Sequence, residues 1–311
     1  MEVVYTYTLL QPLWHSEVVS TRLLREFPAS GSVYAIIALG YTMVYGIAKM
    51  LNFAHGDVIM VGGYAALTMM MSVGTSPVIA VLVAIVVCTV LGITIEAIAY
   101  KPLRGASSSL AVLITAIGVS YFLQNIVLLI FGSSPKNFQS VVGVPDLKIA
   151  DGALNISGET IVTIVSCILI MVVLTRFINN TKPGQAMLAV SEDKGAAQLM
   201  GINVNGTIAL TFAIGSGLAA VAGVLLCSAY PSLSPYTGSM PGIKAFVAAV
   251  FGGIGSIPGA MLGGILLGVI EILAKAYISS QLADAIVFAV LIVVLLVKPT
   301  GLLGKKIQEK V

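Results

Sequence analysis

Charge is what this sequence has least of. Lysine, arginine, aspartate and glutamate together make up only 9% of its 311 residues, where a soluble domain carries roughly 25%. So few charges cannot cover a globular surface, and a soluble fold is excluded. Histidine is scarcer still. His15 and His55 are the two, the first in the N-terminal tail and the second in a polar break, so that no Ser–His–Asp or Cys–His set is legible around them and a histidine-built metal centre lacks ligands. Cys88, Cys167 and Cys227 lie inside apolar runs without CxxC spacing and read as packing residues rather than metal ligands or a disulfide frame. A phosphate-cradling GxxxxGK[ST] loop is missing too. Its nearest approach, Pro299 to Lys306, lacks the first glycine and ends on Lys306 in place of Ser or Thr. The chain is therefore expected not to be an enzyme, to hold no metal and no cofactor, and to hydrolyse no ATP by itself. Its net charge of +3 is spread over the ends of apolar runs, which argues against a nucleic-acid partner.

What is there is apolar: 58% of residues are hydrophobic and the mean hydropathy is +1.04. Runs near the 20 or so residues that a membrane span needs occur at 31–48, 57–73, 77–98, 110–131, 160–179 and 206–229. Two shorter glycine-rich pieces follow at 242–256 and 258–276, and a last run at 281–297. None alternates with period two, and all are too long for barrel strands. An all-α integral membrane protein is expected, with about eight to nine transmembrane or membrane-dipping helices in the lipid bilayer. Residues 1–30 have neither the basic start nor the apolar centre of a cleaved signal and are expected to form an amphipathic segment on the membrane surface. Residues 31–298 form the transmembrane domain and 299–311 a basic tail. Lys298, Lys305, Lys306 and Lys310 put that tail on the cytoplasmic side. Nine crossings then place the N-terminus outside, and eight follow if the 242–256 piece dips and returns.

The chain is organised around Gly31 to Tyr64, where an apolar run is interrupted by Lys49, Asn52, His55 and Asp57. Irregular backbone and charge survive at membrane depth only against protein, headgroups or a watery path. These residues either line or gate a translocation path, or cap two helices at the cytoplasmic interface, and both readings stay open. Tyr34, Tyr41 and Tyr45 fall near one helical face. With Thr42 beside them, Tyr41 and Tyr45 are candidates for the same path, against packing and interfacial anchoring. Further on, Gly259, Gly263 and Gly268 supply small residues for close helix–helix approach. Glu271 and Lys275 have the spacing of an ion pair along one helix. Lys244 is expected to snorkel from a span start, and Glu96 to be paired or interfacial near Lys101.

The polar connection at about 180–205 is the most informative. Glu192 and Asp193 bring negative charge to a helix start. Ala196, Ala197, Leu199 and Met200 follow as a short helix that Gly201 stops. It is either a knob for a soluble partner or an ordinary capped surface loop.

The run GAAQLMGI resembles the EAA–Gly coupling loop of ABC importer permeases, with Gly195 where that loop has glutamate. ALGYTMVYGIAKMLNFAHGD, KPLRG, AVLITAIGVSYFLQN, SEDKGAAQLMGI and KAFVAAVFGGIGSIPGAMLGG resemble the branched-chain amino-acid permeases of the LivH type, so that the likeness covers nearly everything from Gly31 on. The resemblance implies a permease subunit in a bacterial inner membrane that takes up leucine, isoleucine, valine or related solutes. It implies as partners a second permease of the LivM type, an extracytoplasmic solute-binding protein, and two ATP-binding subunits that carry ATP and Mg. Coupling to the ATPase would fall on Glu192, Asp193, Ala196, Ala197, Leu199, Met200 and Gly201. Related permeases import urea, short amides or other amino acids. A carrier driven by protons or sodium through His55, Asp57 or Glu96 is the alternative of a different class.

Overall fold

The computed structural model describes residues 16–105, 109–149 and 154–304. Eleven α-helices and four short strands follow one another in them. Helix α1 (Ser16–Ala48) leads to α2 (His55–Thr68), which ends in a π-turn, Met69–Val73. Helix α3 (Pro77–Ile95) continues through π-helical Glu96–Tyr100 and 3₁₀ Lys101–Gly105. Then come α4 (Ser109–Phe131), β1 (Lys136–Asn137), β2 (Leu147–Ile149), β3 (Leu154–Ile156) and α5 (Gly158–Asn180). The rest are α6 (Lys182–Glu192), α7 (Lys194–Leu199), α8 (Val204–Ala229), β4 (Ser232–Leu233), α9 (Ser239–Gly252), α10 (Ile257–Tyr277) and α11 (Ala283–Val297).

With α2 counted together with its π-turn, seven of these helices are long and apolar enough to cross a membrane, and α9 and α11 are shorter. Local chemistry sets their ends. Side-chain oxygens of Ser157, Thr181, Asn203 and Ser256 accept from backbone N–H groups in the first turns of α5, α6, α8 and α10, satisfying donors that have no partner inside the helix. Proline opens α3 and lies in the first turn of α6 and α10, where its missing N–H is not needed. The expected surface segment proves continuous with the first span: residues 16–29 are helical and run into it without a break. Residues 1–15 of that segment, and 305–311 of the basic tail, lie outside the described residues.

The Ser30–Ala48 stretch of α1 is 94% buried and forms the axis of the bundle. Helix α8 lies beside it, while α4 and α5 turn most of their surface outward. Small residues let the central helices touch. A side chain on Gly62 would meet the Ala220 backbone, one on Gly264 the Ala35 backbone, and one on Gly268 that of Gly31. Gly259 and Gly263 press in the same way on Gly252 and Ala248. The small residues expected to allow close helix approach lie at such contacts.

Contacts between distant residues define two ends. At one, Lys194 Nζ donates to the Ala48 carbonyl at 2.9 Å and Arg104 binds Asn205. At the other, Ser30 Oγ and Tyr230 OH are 2.8 Å apart, and β1 pairs with β4 antiparallel. Helix α9 has 14 residues, about 21 Å, and does not turn back. It starts where Gly238 touches Gly56 and ends on Gly252, against the first turn of α10. Helix α10 then runs the other way to reach Gly31, and α11 returns so that Gly301 and Gly304 abut Gly253.

Candidate functional site

The polar break begins where the sequence put it, at Lys49. Helix α1 stops at Ala48, and Lys49 leaves it with φ 57°, a left-handed conformation that terminates helices. The chain then folds back along α1. His55 packs on Tyr41 with ring centroids 4.6 Å apart and stands against Gly40, midway along the Ser30–Ala48 span. Asp57 lies in the first turn of α2, where its charge is favoured, but the N-cap position is Ala54 and no side chain caps the helix. This helix start lies in mid-bundle, and not at the cytoplasmic interface where the capping reading put it. The physical reason is tertiary packing: Gly40, Gly56, Gly238 and Gly242 carry no side chains, so backbone can enter the space.

Each polar group of the break that has a partner draws it from a distant element. Asn52 Oδ1 accepts from the Tyr100 hydroxyl at 3.0 Å. Asp57 Oδ1 accepts from Gln124 Nε2 at 2.8 Å, and the same nitrogen lies 3.3 Å from Ser239 Oγ. The first turns of α2 and α9, both positive by helix polarity, therefore meet around one carboxylate. Thr42 Oγ1 and His55 Nε2 are buried without a hydrogen-bond partner among the described residues. Tyr41, Thr42, Asn52, His55 and Asp57 are buried, and Tyr45 is partly exposed. None of the six lines either of two cavities. One, of about 320 Å³, lies under residues 141–144 against α3, α5 and α8. The other, of about 380 Å³, is an apolar groove between α3 and α8. In this conformation the break is packed shut. Gln124, Tyr100 and Ser239 were not singled out in the sequence, although a glutamine inside an apolar run is the kind of signal that could have marked the first.

Lys244 does not snorkel. It is buried and binds Glu271 Oε1 at 3.0 Å and Asp284 Oδ1 at 2.6 Å. Its ammonium lies 5.9 Å from the Tyr34 ring centroid. Lys275 completes the set at 2.6 Å from Glu271, as the spacing predicted. Glu96 is paired, as expected, and its partner is Arg104.

In the connection after α5, Asp193 stands at the expected helix start, but a further helix, α6, comes before it and ends on Glu192. The Asp193 carboxylate accepts from Gly195 N at 2.8 Å and Ala196 N at 3.0 Å, starting α7. Glu192, Asp193 and Ala196 are exposed and Ala197 is buried. Leu199 and Met200 are 90% and 82% exposed, unusual for large apolar side chains outside a span. Gly201 stops the helix with φ 82°. At Gly195 a side chain would meet only the Asp193 carboxylate, at 3.4 Å, so space does not demand glycine there. Lys194, not singled out in the sequence, turns inward to Ala48. Burial, with the Arg104 and Lys49 charges nearby, holds its ammonium below the usual lysine pKa.

The family described as "Branched-chain amino acid transport system / permease component" matches residues 24–295. The high-affinity branched-chain amino acid transport system permease protein LivH of Salmonella typhimurium is 48% identical over 295 residues, covering 90% of this chain and 94% of that protein. BraD of Pseudomonas aeruginosa is 47% identical over 292 residues, with the same coverage. A probable LivH of Methanocaldococcus jannaschii is 30% identical over 285 residues, covering 88% and 89%. A bundle of apolar helices built on a buried polar break, matched over nearly its whole length in this way, belongs to the branched-chain amino acid transport system permease family, as a multi-pass membrane transport subunit.

Proposed function

We propose that this chain carries leucine, isoleucine, valine or a close relative across the inner membrane, with a second permease of the LivM type as its other half. Two ATP-binding subunits, holding ATP and Mg, drive it from the cytoplasm, and an extracytoplasmic solute-binding protein delivers the solute. The observation that carries this reading is the helix started by Asp193, whose tip offers Leu199 and Met200 to a partner at the end of the bundle where Lys49, Lys101 and Arg104 gather. That end, and the C-terminus with it, is cytoplasmic by the excess of positive charge.

Nucleotide binding shifts the permease only if the ATPase grips one conformation more tightly than the other. The packed break is the closed state. Parting it joins the two sides around Asn52, His55 and Asp57, with Tyr41, Thr42 and Tyr45 along the path. The test is the assembled complex in proteoliposomes, with binding protein and each amino acid supplied in turn. Leucine, isoleucine or valine should raise ATP hydrolysis and accumulate inside. Stimulation by none of the three would overturn the substrate. Accumulation by this chain alone under a proton gradient would overturn the ATP-driven machine.

A further inference from the structure

Helix carbonyls at a C-terminus lack partners within the helix and carry the negative end of its dipole, so a cation there is favoured. The C-terminus of α1 is served by Lys194, which lies 146 positions away in sequence and whose Nζ donates to Ala48 O at 2.9 Å. Directly after Ala48 comes Lys49 in its left-handed turn, and after that the break. Lys194 is also the first residue of α7, next to the Asp193 cap. Helix α6 already packs on α1, and this side chain adds a directed bond from the segment that faces the partner to the axis of the bundle, at the point where that axis gives way.

A cation is favoured at this helix end, but its place here carries a cost. The side chain gives up water beside the Arg104 and Lys49 charges, and Arg104 is already paired with Glu96 and Asn205. An uncharged side chain of equal reach would relieve that repulsion. What it would lose is a directed bond to the end of α1.

We infer that Lys194 is a positioning residue for transport: through its bond to Ala48 it passes motion of the Lys182–Leu199 segment to the polar break at Lys49–Asp57. The inference rests on the proposed docking of that segment to an ATPase. Through one strut a displacement at α7 pulls the end of α1, while Asn52 stays tied to Tyr100 on another helix. The break is therefore loaded between an end that is pulled and a point that is held.

The test uses the whole complex in proteoliposomes and reads solute taken up per ATP hydrolysed. Lys194→Met should keep the ATP-binding subunits in the purified complex while uptake per ATP falls about tenfold or more, the scale of an ordinary coupling free energy. Lys194→Arg, which retains a donor of similar reach, should restore the ratio to within about twofold. A ratio in Lys194→Met within twofold of the parent overturns the strut, as does failure of Lys194→Arg to rescue. Leu199→Glu separates the two levels of the proposal. If it leaves assembly and uptake intact, the docking reading falls. If it abolishes them while Lys194→Met changes nothing, only the strut falls. Should Lys194→Met not assemble, hydrogen exchange of the parent complex decides. Amides of Lys49–Leu51 and of Lys194–Leu199 that change protection together on trapping with ATP and vanadate support the strut. Change in the second set alone overturns it.

Discussion

Gly40 and His55 are so close that a methyl group at position 40 would stand 2.6 Å from the imidazole Nε2. Gly40→Ala must therefore push the ring off Tyr41. Overpacking of this kind typically costs about 1–3 kcal/mol, and the unfolding temperature in detergent should fall accordingly. Adding His55→Ala should recover most of that loss, because the two changes share one contact. Full stability in the single variant would show that the ring has somewhere else to go.

Asp57 and Gln124 give a second measurement. Asp57→Asn keeps an acceptor for the glutamine and should change stability little. Asp57→Leu takes that acceptor away from a half-buried amide, which keeps only the longer contacts to Ser120 and Ser239, and should cost about 1 kcal/mol. The combination Asp57→Leu with Gln124→Leu, read by thermal denaturation, should recover part of it. A loss in Asp57→Asn as large as in Asp57→Leu would mean that the charge, and not the hydrogen bond, is what the site needs.

The residues that could and could not be foreseen divide along physical lines. Span lengths, the Asp193 cap and the Gly201 stop are local signals, and they stand where periodicity and capping chemistry put them. The i,i+4 pair Glu271–Lys275 is equally local. The depth of His55 was not legible, because it depends on glycines from three separate segments meeting. Neither was the choice of Lys244 for Glu271 and Asp284, nor that of Lys194 for Ala48. A lysine carries no mark of which of several distant acceptors it will find, and only the packing of whole helices decides.

The four-charge cluster predicts a strong asymmetry between its two lysines. Lys244→Met removes a buried partner from Glu271 and Asp284 and should cost about 3–5 kcal/mol, as broken buried pairs do. Lys275 has its side chain 40% exposed, and Lys275→Met should cost no more than about 1 kcal/mol. Chemical or thermal unfolding of the two variants side by side decides this. Equal losses would contradict the geometry.

Two glycines should respond oppositely to the same enlargement. Gly268 touches the Gly31 backbone, whereas Gly118 faces open space. Gly268→Leu should separate α10 from α1 and prevent a stable fold, seen as loss of a monodisperse peak in size-exclusion chromatography. Gly118→Leu should leave the protein within about 0.5 kcal/mol of the parent.

The buried cluster has a consequence for how the protein is made. Lys244 rides on α9 and Asp284 on α11, while Glu271 and Lys275 cancel on α10. Helix α9 thus emerges from the ribosome with an unmatched positive charge, and its last counterion is delivered only when α11 has been synthesised. An intramembrane ion left alone is expensive, so the final three helices should leave the insertion machinery together, as a neutral set.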